Sequence, residues 1–310
     1  MVTFKIAFFN VLLALLYMVP GFILCKVKKA SADHLPSISA ILIYICSPCM
    51  VISAFISYDY SKENMIYMGI FFVVSFIIQA LFLGILYLIF RKKFGISKYR
   101  MLSIGSVLGN CGFFGLPLIS ALLPDHPEVA CYSSIYVVSM NIIVFTAGIY
   151  CLTQDKKYMS AKAAVMNPAF FAFLVSIPLY ITGAAGWLPD ILVNGMSLLG
   201  KMTTPLCMLI LGIRLATMDA KKLFTTPFVY FACIGKLIVF PLFAYALVYF
   251  LPLPMSFKSS MLILAATPCA SIILNLAEIH KKEPEMSANC ILLSTLLCII
   301  TIPFLSLLIQ

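Results

Sequence analysis

The chain has 310 residues, of which 63% are hydrophobic and only 10% are charged, and its formal net charge is +10. Soluble globular domains are nearer half apolar and a quarter charged, so this composition excludes a soluble enzyme, a disordered chain and a collagen-like fibre. A membrane span takes about 20 residues, and the length therefore accommodates about ten spans and no folded soluble domain.

Charged and turn residues divide the sequence into ten apolar segments, which predict an all-α integral membrane protein with ten transmembrane helices. The first segment follows Lys5 and lacks a small-residue cleavage site, so we interpret it as a span and not as a removed signal peptide. The ten predicted segments are residues 6–25, 36–57, 65–90, 101–123, 129–152, 167–184, 188–213, 225–250, 257–279 and 287–309.

Lysine and arginine are distributed very unevenly between the predicted loops. The loops that follow odd-numbered segments hold 16 of them, whereas the opposite side holds only Lys5, Lys62 and Lys258. Because basic residues collect in cytoplasmic loops, the odd loops are predicted to be cytoplasmic and both termini to lie outside the plasma membrane. This distribution accounts for the net charge without a nucleic-acid partner, and no basic and aromatic recognition motif is present.

Weak internal echoes predict that the chain is duplicated. Residues 47–50 (SPCM) in segment two resemble residues 204–208 (TPLCM) in segment seven, and segments four and nine are both interrupted near their middle. With five spans per half, the second copy would be inverted in the membrane, which is typical of secondary transporters. The predicted division is a first repeat over 1–152, a cytoplasmic connection over 153–166 and an inverted repeat over 167–310.

Segment four contains an unusual concentration of helix-weakening residues at 109–117 (GNCGFFGLP). Pro117 cannot donate a backbone hydrogen bond, so we expect the helix to be interrupted in the stretch that ends at this residue. One interpretation is a small-residue face for helix packing. The other, favoured by the polar Asn110 at the same depth, is an unwound stretch that faces a cavity.

Segment nine carries a matching interruption in residues 265–271 (AATPCAS), with Pro268 near its centre. Breaks at corresponding positions of two halves are the best sequence indication of a transporter binding site. Each second half-helix would begin at the midplane with unpaired N–H groups and a positive dipole end. Two such ends pointing at one place favour an anionic ligand.

Ionisable residues are rare inside the predicted spans. Lys201 in segment seven is interpreted either as a lysine snorkelling along a tilted helix or as a counter-charge for an anionic substrate. Lys236 in segment eight could also mark a cavity. Glu278, at the end of segment nine, is either an interfacial residue paired with a loop lysine or a proton carrier. Asn141 could face a substrate or bond a neighbouring helix.

No catalytic or metal-binding set is evident. His34, His126 and His280 all fall in predicted loops, and no nucleophile and base are paired. The eleven cysteines lie in or beside apolar runs, as expected of buried free thiols. The spacing of Cys46 and Cys49 matches CxxC, but a second pair is absent. The sequence therefore predicts a protein that is not an enzyme and has no cofactor.

The chain resembles the auxin efflux carrier family of transporters, which includes the plant PIN-type carriers, and more distantly the bile acid/sodium symporter fold. Residues 109–117 are similar to the family signature GNTGFxGxP, with Cys111 in place of the usual threonine. Residues 205–215 (PLCMLILGIRL) are similar to its PLxxxxxGxxL segment. Residues 266–278 (ATPCASIILNLAE) and 294–303 (STLLCIITIP) resemble its ninth and tenth spans, so the likeness covers nearly the whole chain.

This resemblance implies two inverted five-helix repeats whose fourth and ninth spans cross at their prolines. It implies a scaffold of spans one, two, six and seven, with the remaining spans forming a moving transport domain. It also implies carriage of small organic anions such as mono- or dicarboxylates. The predicted substrate-binding residues are Asn110, Cys111, Gly112, Gly115, Pro117, Asn141, Lys201, Pro205, Thr267, Pro268, Cys269, Ser271 and Asn275.

The predicted function is a secondary active carrier that works by alternating access in the lipid bilayer. Lys201 stands where a small or neutral residue is expected, so substrate specificity is not transferred from relatives. The sequence leaves H⁺ and Na⁺ both open as coupling ions, and leaves open a homodimer. Alternatives are a sodium-coupled carrier like the bile acid symporters and a membrane sensor that binds a ligand without moving it.

Overall fold

The computed structural model describes residues 2–218 and 220–309, and over that part of the chain it consists of helices joined by short connections. Among the described residues, eight helical segments have 23 to 32 residues each. One of them, Lys156–Ile181, is interrupted at residues 159–160 and 166–167. Two further segments are each a pair of short helices. In chain order they are α1 (Val2–Lys26), α2 (Ala32–Ile56), α3 (Lys62–Lys93), α4a (Ser97–Gly105), α4b (Cys111–Leu122), α5 (Glu128–Thr153), α6 (Lys156–Ile181), α7 (Asp190–Thr217), α8 (Pro227–Tyr249), α9a (Met255–Ala265), α9b (Ile272–Ile279) and α10 (Pro284–Leu308).

These eight helical segments are long and apolar enough to cross a bilayer, with mean hydropathies from 1.5 to 2.5. Their outer surfaces carry large apolar side chains, among them Phe9, Phe171 and Ile191, which are 62%, 65% and 80% exposed. Helices are stable in lipid because their backbone groups bond internally. The prediction of an all-helical, multi-pass membrane protein is confirmed. Eight helices and not ten have the length of a span, because predicted segments four and nine are interrupted.

Helices α1 and α7 pack with their backbones in contact. A Cβ placed on Gly21 would lie 2.2 Å from the carbonyl oxygen of Leu209, and one on Gly212 would lie 2.0 Å from that of Met18. Small residues permit such close approach, which supplies the van der Waals packing that associates helices in lipid. Gly200 of α7 makes a similar approach to the backbone of Met50 in α2, so α1, α2 and α7 form one closely packed group.

Aromatic and polar side chains join α3, α5 and α9a. The ring of Phe71 stacks on Tyr132 with centroids 4.6 Å apart and meets Phe257 edge-on at 4.8 Å. Ser75 donates a hydrogen bond of 2.9 Å to Ser139 across α3 and α5. These buried contacts fix α9a against two continuous helices, and thereby hold the interrupted segment that follows it.

Four helices contain a π-helical turn, in which backbone hydrogen bonds join residues five apart, whereas those of an α-helix join residues four apart. The turns are at Leu42–Cys46, Cys111–Gly115, Val144–Gly148 and Gly235–Val239. Such turns occur frequently at functional sites. All eleven cysteines are free, and nine of them are buried, in agreement with the prediction of structural thiols.

Candidate functional site

The two interrupted segments cross each other through their backbones. Gly109 and Cys269 form an isolated antiparallel bridge. The amide of Asn110 donates to the carbonyl of Pro268 at 2.7 Å, and the amide of Ala270 donates to the carbonyl of Leu108 at 3.0 Å. Irregular backbone at membrane depth requires such internal partners, because lipid supplies none. The crossing is therefore a stable element of the protein interior.

The expected role of Pro117 in the interruption is wrong, whereas that of Pro268 is correct. The chain leaves helix geometry after Gly105 and resumes it at Cys111, so Pro117 lies inside α4b, in the first turn of its α-helical part. Proline is accommodated in a first turn, because the amide it lacks would have no partner there. Gly109 is needed instead, since a Cβ there would lie 2.5 Å from Thr267 Oγ1 and 2.7 Å from Lys236 Nζ.

A cavity of about 150 Å³ lies beside the crossing, toward the ends of α2 and α7 that are predicted to be cytoplasmic. Four asparagines contribute amide groups to it and three serines contribute hydroxyls. Among the described residues, Arg214 is the one charged residue of its lining. Its polar lining is Ser39, Ser47, Asn110, Asn141, Asn167, Arg214, Ser271 and Asn275. A small cavity of amides, hydroxyls and one cation can bind a small polar anion.

Six of the predicted site residues line this cavity, and three different elements bring them together. Asn110, Cys111 and Gly112 come from the start of α4b, and Asn141 comes from α5. Ser271 and Asn275 come from the start of α9b. The Asn110 side chain is 6% exposed, and its amide nitrogen lies 3.6 Å from the Cys207 sulfur of α7.

Cys111, at the threonine position of the motif that residues 109–117 resemble, is anchored by a hydrogen bond to its backbone. Its carbonyl accepts a hydrogen bond of 2.8 Å from Ser133 of α5, and its sulfur lies 3.9 Å from that of Met140. The side chain is fully buried. This thiol contributes packing volume to the cavity wall where a threonine would offer a hydroxyl.

Sequence reasoning missed Arg214 and Asn167, which both line the cavity. Arg214 was counted among the basic residues of a cytoplasmic loop, but it lies in α7, three residues before the helix ends. The signal that could have found it is its place in residues 205–215, inside the segment that resembles the family. The Asn167 side chain accepts a hydrogen bond of 2.9 Å from the amide of Ala169, which fixes it at a bend of α6.

Glu278 is bound to Arg214 and not to a loop lysine, so the expected partner is corrected. The Arg214 guanidinium nitrogen lies 3.3 Å from a carboxylate oxygen of Glu278. This ion pair joins α7 to α9b beside the cavity. The carboxylate is about half exposed and the guanidinium is more buried, at 49% and 21%. Arg214 therefore already holds one carboxylate of the protein itself.

A second cavity of about 460 Å³ lies on the opposite side of the crossing, near the residues between α4b and α5. Pro117, Lys201 and Pro205 of the predicted set line it. Lys201 is exposed, at the end of the first of the two helical stretches in α7. The structure thus separates Lys201 from Asn110, and brings each to a different cavity.

A thin layer divides the two cavities. Met50 of α2 lines both of them. The hydroxyl of Thr204 in α7 donates to the carbonyl of Phe113 in α4b, which closes the layer between α7 and the crossing. The two cavities thus lie on opposite sides of this layer, toward opposite ends of the helices.

The remaining predicted residues, Gly115, Thr267, Pro268 and Cys269, line neither cavity and form the packed centre of the crossing. The Thr267 hydroxyl donates to the carbonyl of Leu264 at 2.8 Å, and the Cys269 amide donates to the hydroxyl of Ser294 at 2.9 Å. These residues hold the interrupted backbone in place. The amides of Asn110, Cys269 and Ala270 all bond within the protein and are not available to a ligand.

Comparison with known proteins gives one family. A family model described as membrane transport protein matches residues 6–306. A comparison with curated proteins found no match. The matched range includes both interrupted segments, the crossing and the residues of both cavities, so the family assignment applies to the candidate site as well as to the outer helices.

Proposed function

Because the chain belongs to the membrane transport protein family, which is the auxin efflux carrier family that its sequence resembles, we propose that it is a secondary carrier of small organic anions. The observation that carries this proposal is the cavity beside the crossing, where Arg214 is the one charged residue that the described part of the chain contributes. A guanidinium can bind a carboxylate through two parallel hydrogen bonds, and asparagine amides can hold its remaining polar groups.

The volume of the cavity supports a small substrate. A cavity of about 150 Å³ is small beside the roughly 300–1,000 Å³ of common ligand sites. This size favours a short mono- or dicarboxylate over larger substrates like those of the bile acid symporters.

The two cavities support alternating access. The 150 Å³ cavity lies toward one end of the helices and the 460 Å³ cavity toward the other, with Thr204 and Phe113 in the layer between them. In the proposed cycle, the crossing and the helices packed on it move against α1, α2, α6 and α7. The proposal includes two inverted repeats, over residues 1–152 and 167–310. The chain then has ten spans, because α4a with α4b and α9a with α9b each count as one.

In this cycle, the carboxylate of Glu278 would compete with the substrate for Arg214. This carboxylate lies 3.3 Å from the Arg214 guanidinium and connects α9b to α7. A substrate carboxylate that binds Arg214 would replace Glu278 and release this link. Binding of the anion and freedom of the moving part would then be coupled by a single exchange of partners.

Uptake into proteoliposomes tests the proposed function. The purified protein would be offered radiolabelled acetate, lactate, succinate, malate and indole-3-acetate, with and without H⁺ and Na⁺ gradients, and empty liposomes would give the background. We expect at least one small carboxylate to accumulate. If no carboxylate exceeds the background, the proposal is wrong; saturable binding without accumulation would instead indicate a ligand sensor.

Replacing Asn110 by Ala is expected to abolish carboxylate uptake while expression remains normal. The side chain lies in the cavity wall and bonds Cys207 only weakly, at 3.6 Å, so its loss removes a ligand group with little effect on packing. Uptake by the variant would be compared with that by Asn194→Ala, which changes an exposed asparagine of α7 outside both cavities. Unchanged uptake by Asn110→Ala would move the substrate site elsewhere.

Replacing Glu278 by Gln is expected to lower the KM for the transported anion about two- to fivefold. A partly exposed ion pair contributes up to about 1 kcal/mol, and removing the competing carboxylate makes that amount available to the substrate. The measurement is the concentration dependence of uptake. The control is Glu63→Gln, which changes an exposed glutamate in the first turn of α3. A KM that is unchanged or raised would contradict the competition between Glu278 and the substrate.

A further inference from the structure

Lys236 is a lysine in the interior of the protein, at the crossing. It lies in the π-helical turn Gly235–Val239 of α8, and its side chain is 0% exposed. Its ammonium donates a hydrogen bond of 2.5 Å to the carbonyl of Ala265 and lies 4.8 Å from the centre of the Phe240 ring. Neither cavity is lined by this residue. The anion site therefore does not account for it.

The carbonyl that Lys236 binds lies at the end of a helix. Ala265 is the last residue of α9a, and the last carbonyls of a helix have no partner within the helix. They carry the negative end of the helix dipole. A Cβ on Gly109 would lie 2.7 Å from Lys236 Nζ, so the ammonium also touches the interrupted segment between α4a and α4b. The positive charge thus lies at the point where both segments cross.

Within the described part of the chain, Lys236 forms no ion pair with a carboxylate. A lysine at membrane depth is unfavourable by a few kcal/mol unless polar groups compensate it. Here the compensating groups are the carbonyl end of α9a and the face of an aromatic ring. The arrangement is that of a cation held by backbone oxygen.

We propose that the Lys236 ammonium is a tethered counter-cation for the crossing, and that the protein needs no bound Na⁺ there. In cation-coupled carriers with interrupted helices, carbonyls at the ends of half-helices coordinate the coupling ion. Here the ammonium binds such a carbonyl permanently, because it is covalently attached to α8. Lys236 is therefore a positioning residue: it holds the end of α9a in every step of the cycle.

Thermal unfolding of the purified protein in detergent tests this inference without knowledge of the substrate. At equal ionic strength, we expect the wild-type protein to have the same Tm in NaCl, KCl and choline chloride. Replacing Lys236 by Ala removes three methylenes and the ammonium. We expect its Tm to fall by about 5 °C or more, and n-propylammonium, which has the shape of the missing group, to restore most of that loss.

Two further variants separate charge from packing. Lys236→Met keeps an unbranched side chain of similar size without the ammonium, and we expect it to lose stability as well, with no response to n-propylammonium. Lys201→Ala removes the exposed lysine and should keep the wild-type Tm in all salts. Wild-type Tm in Lys236→Met, failure of n-propylammonium to raise the Tm of Lys236→Ala, or a specific stabilisation of the wild-type protein by Na⁺ would each overturn the proposal. None of these results depends on which anion is carried.

Discussion

Replacing Arg214 by Gln is expected to reduce kcat/KM for carboxylate uptake about 30-fold or more. Arg214 is the one charged residue, of those the structure describes, that lines the cavity beside the crossing. Removing one partner of a hydrogen-bonded charge pair costs about 2–5 kcal/mol, and each 1.4 kcal/mol is a factor of ten. The measurement is initial uptake into proteoliposomes of whichever carboxylate in the panel accumulates best with the wild-type protein.

Two further variants are compared with Arg214→Gln. Arg91→Gln makes the same substitution at an exposed arginine at the end of α3 and should transport like the wild type. Arg214→Lys keeps the charge but not the planar fork, so we expect uptake between those of the wild type and of Arg214→Gln. Normal uptake by Arg214→Gln would show that another group binds the carboxylate, even if the protein is a carrier.

Replacing Gly212 by Val is expected to prevent assembly of a stable protein. Its Cβ would lie 2.0 Å from the carbonyl oxygen of Met18 and 2.9 Å from the carbonyl carbon, where both neighbours are backbone and cannot rotate away. Helices α1 and α7 would have to separate, and the packing that associates them in lipid would be lost. The measurement is the fraction of monodisperse protein by size-exclusion chromatography, together with its Tm.

Gly195→Val is the matched control for this variant. Gly195 lies in the same helix, α7, and a Cβ there would meet no atom within 4 Å. We expect this variant to elute and unfold like the wild type. If Gly212→Val were equally well behaved, the close approach of α1 and α7 would not be needed for folding.

Hydropathy was sufficient to predict most of the fold. Long apolar segments predict helices because lipid leaves the backbone no other partner. The interruptions in segments four and nine were predicted from glycine, asparagine and proline, and they are present. The exact position of the interruption in segment four was not predicted, because Pro117 can begin a helical stretch as well as end one. The decisive residue is Gly109, which must accommodate Lys236 and Thr267 from other helices.

The candidate site was only partly predictable, since its residues come from distant parts of the chain. Asn110 and Ser271 were found because they accompany the interruptions. Arg214 was missed because charge near a helix end is ordinarily a topology signal, and only the packing of α7 beside the crossing brings it to the cavity. Lys201 and Asn110 were both predicted to bind the substrate, whereas the layer at Thr204 and Phe113 separates them.

The antiparallel bridge between Gly109 and Cys269 has a mechanical consequence. Two backbone hydrogen bonds connect the interrupted segments in both directions, so a displacement of one is transmitted to the other. In the proposed cycle, the four short helices α4a, α4b, α9a and α9b would therefore move together. Their contacts with the neighbouring helices would have to change, and a side-chain substitution at the bridge would alter those contacts while the backbone bonds of the bridge are kept.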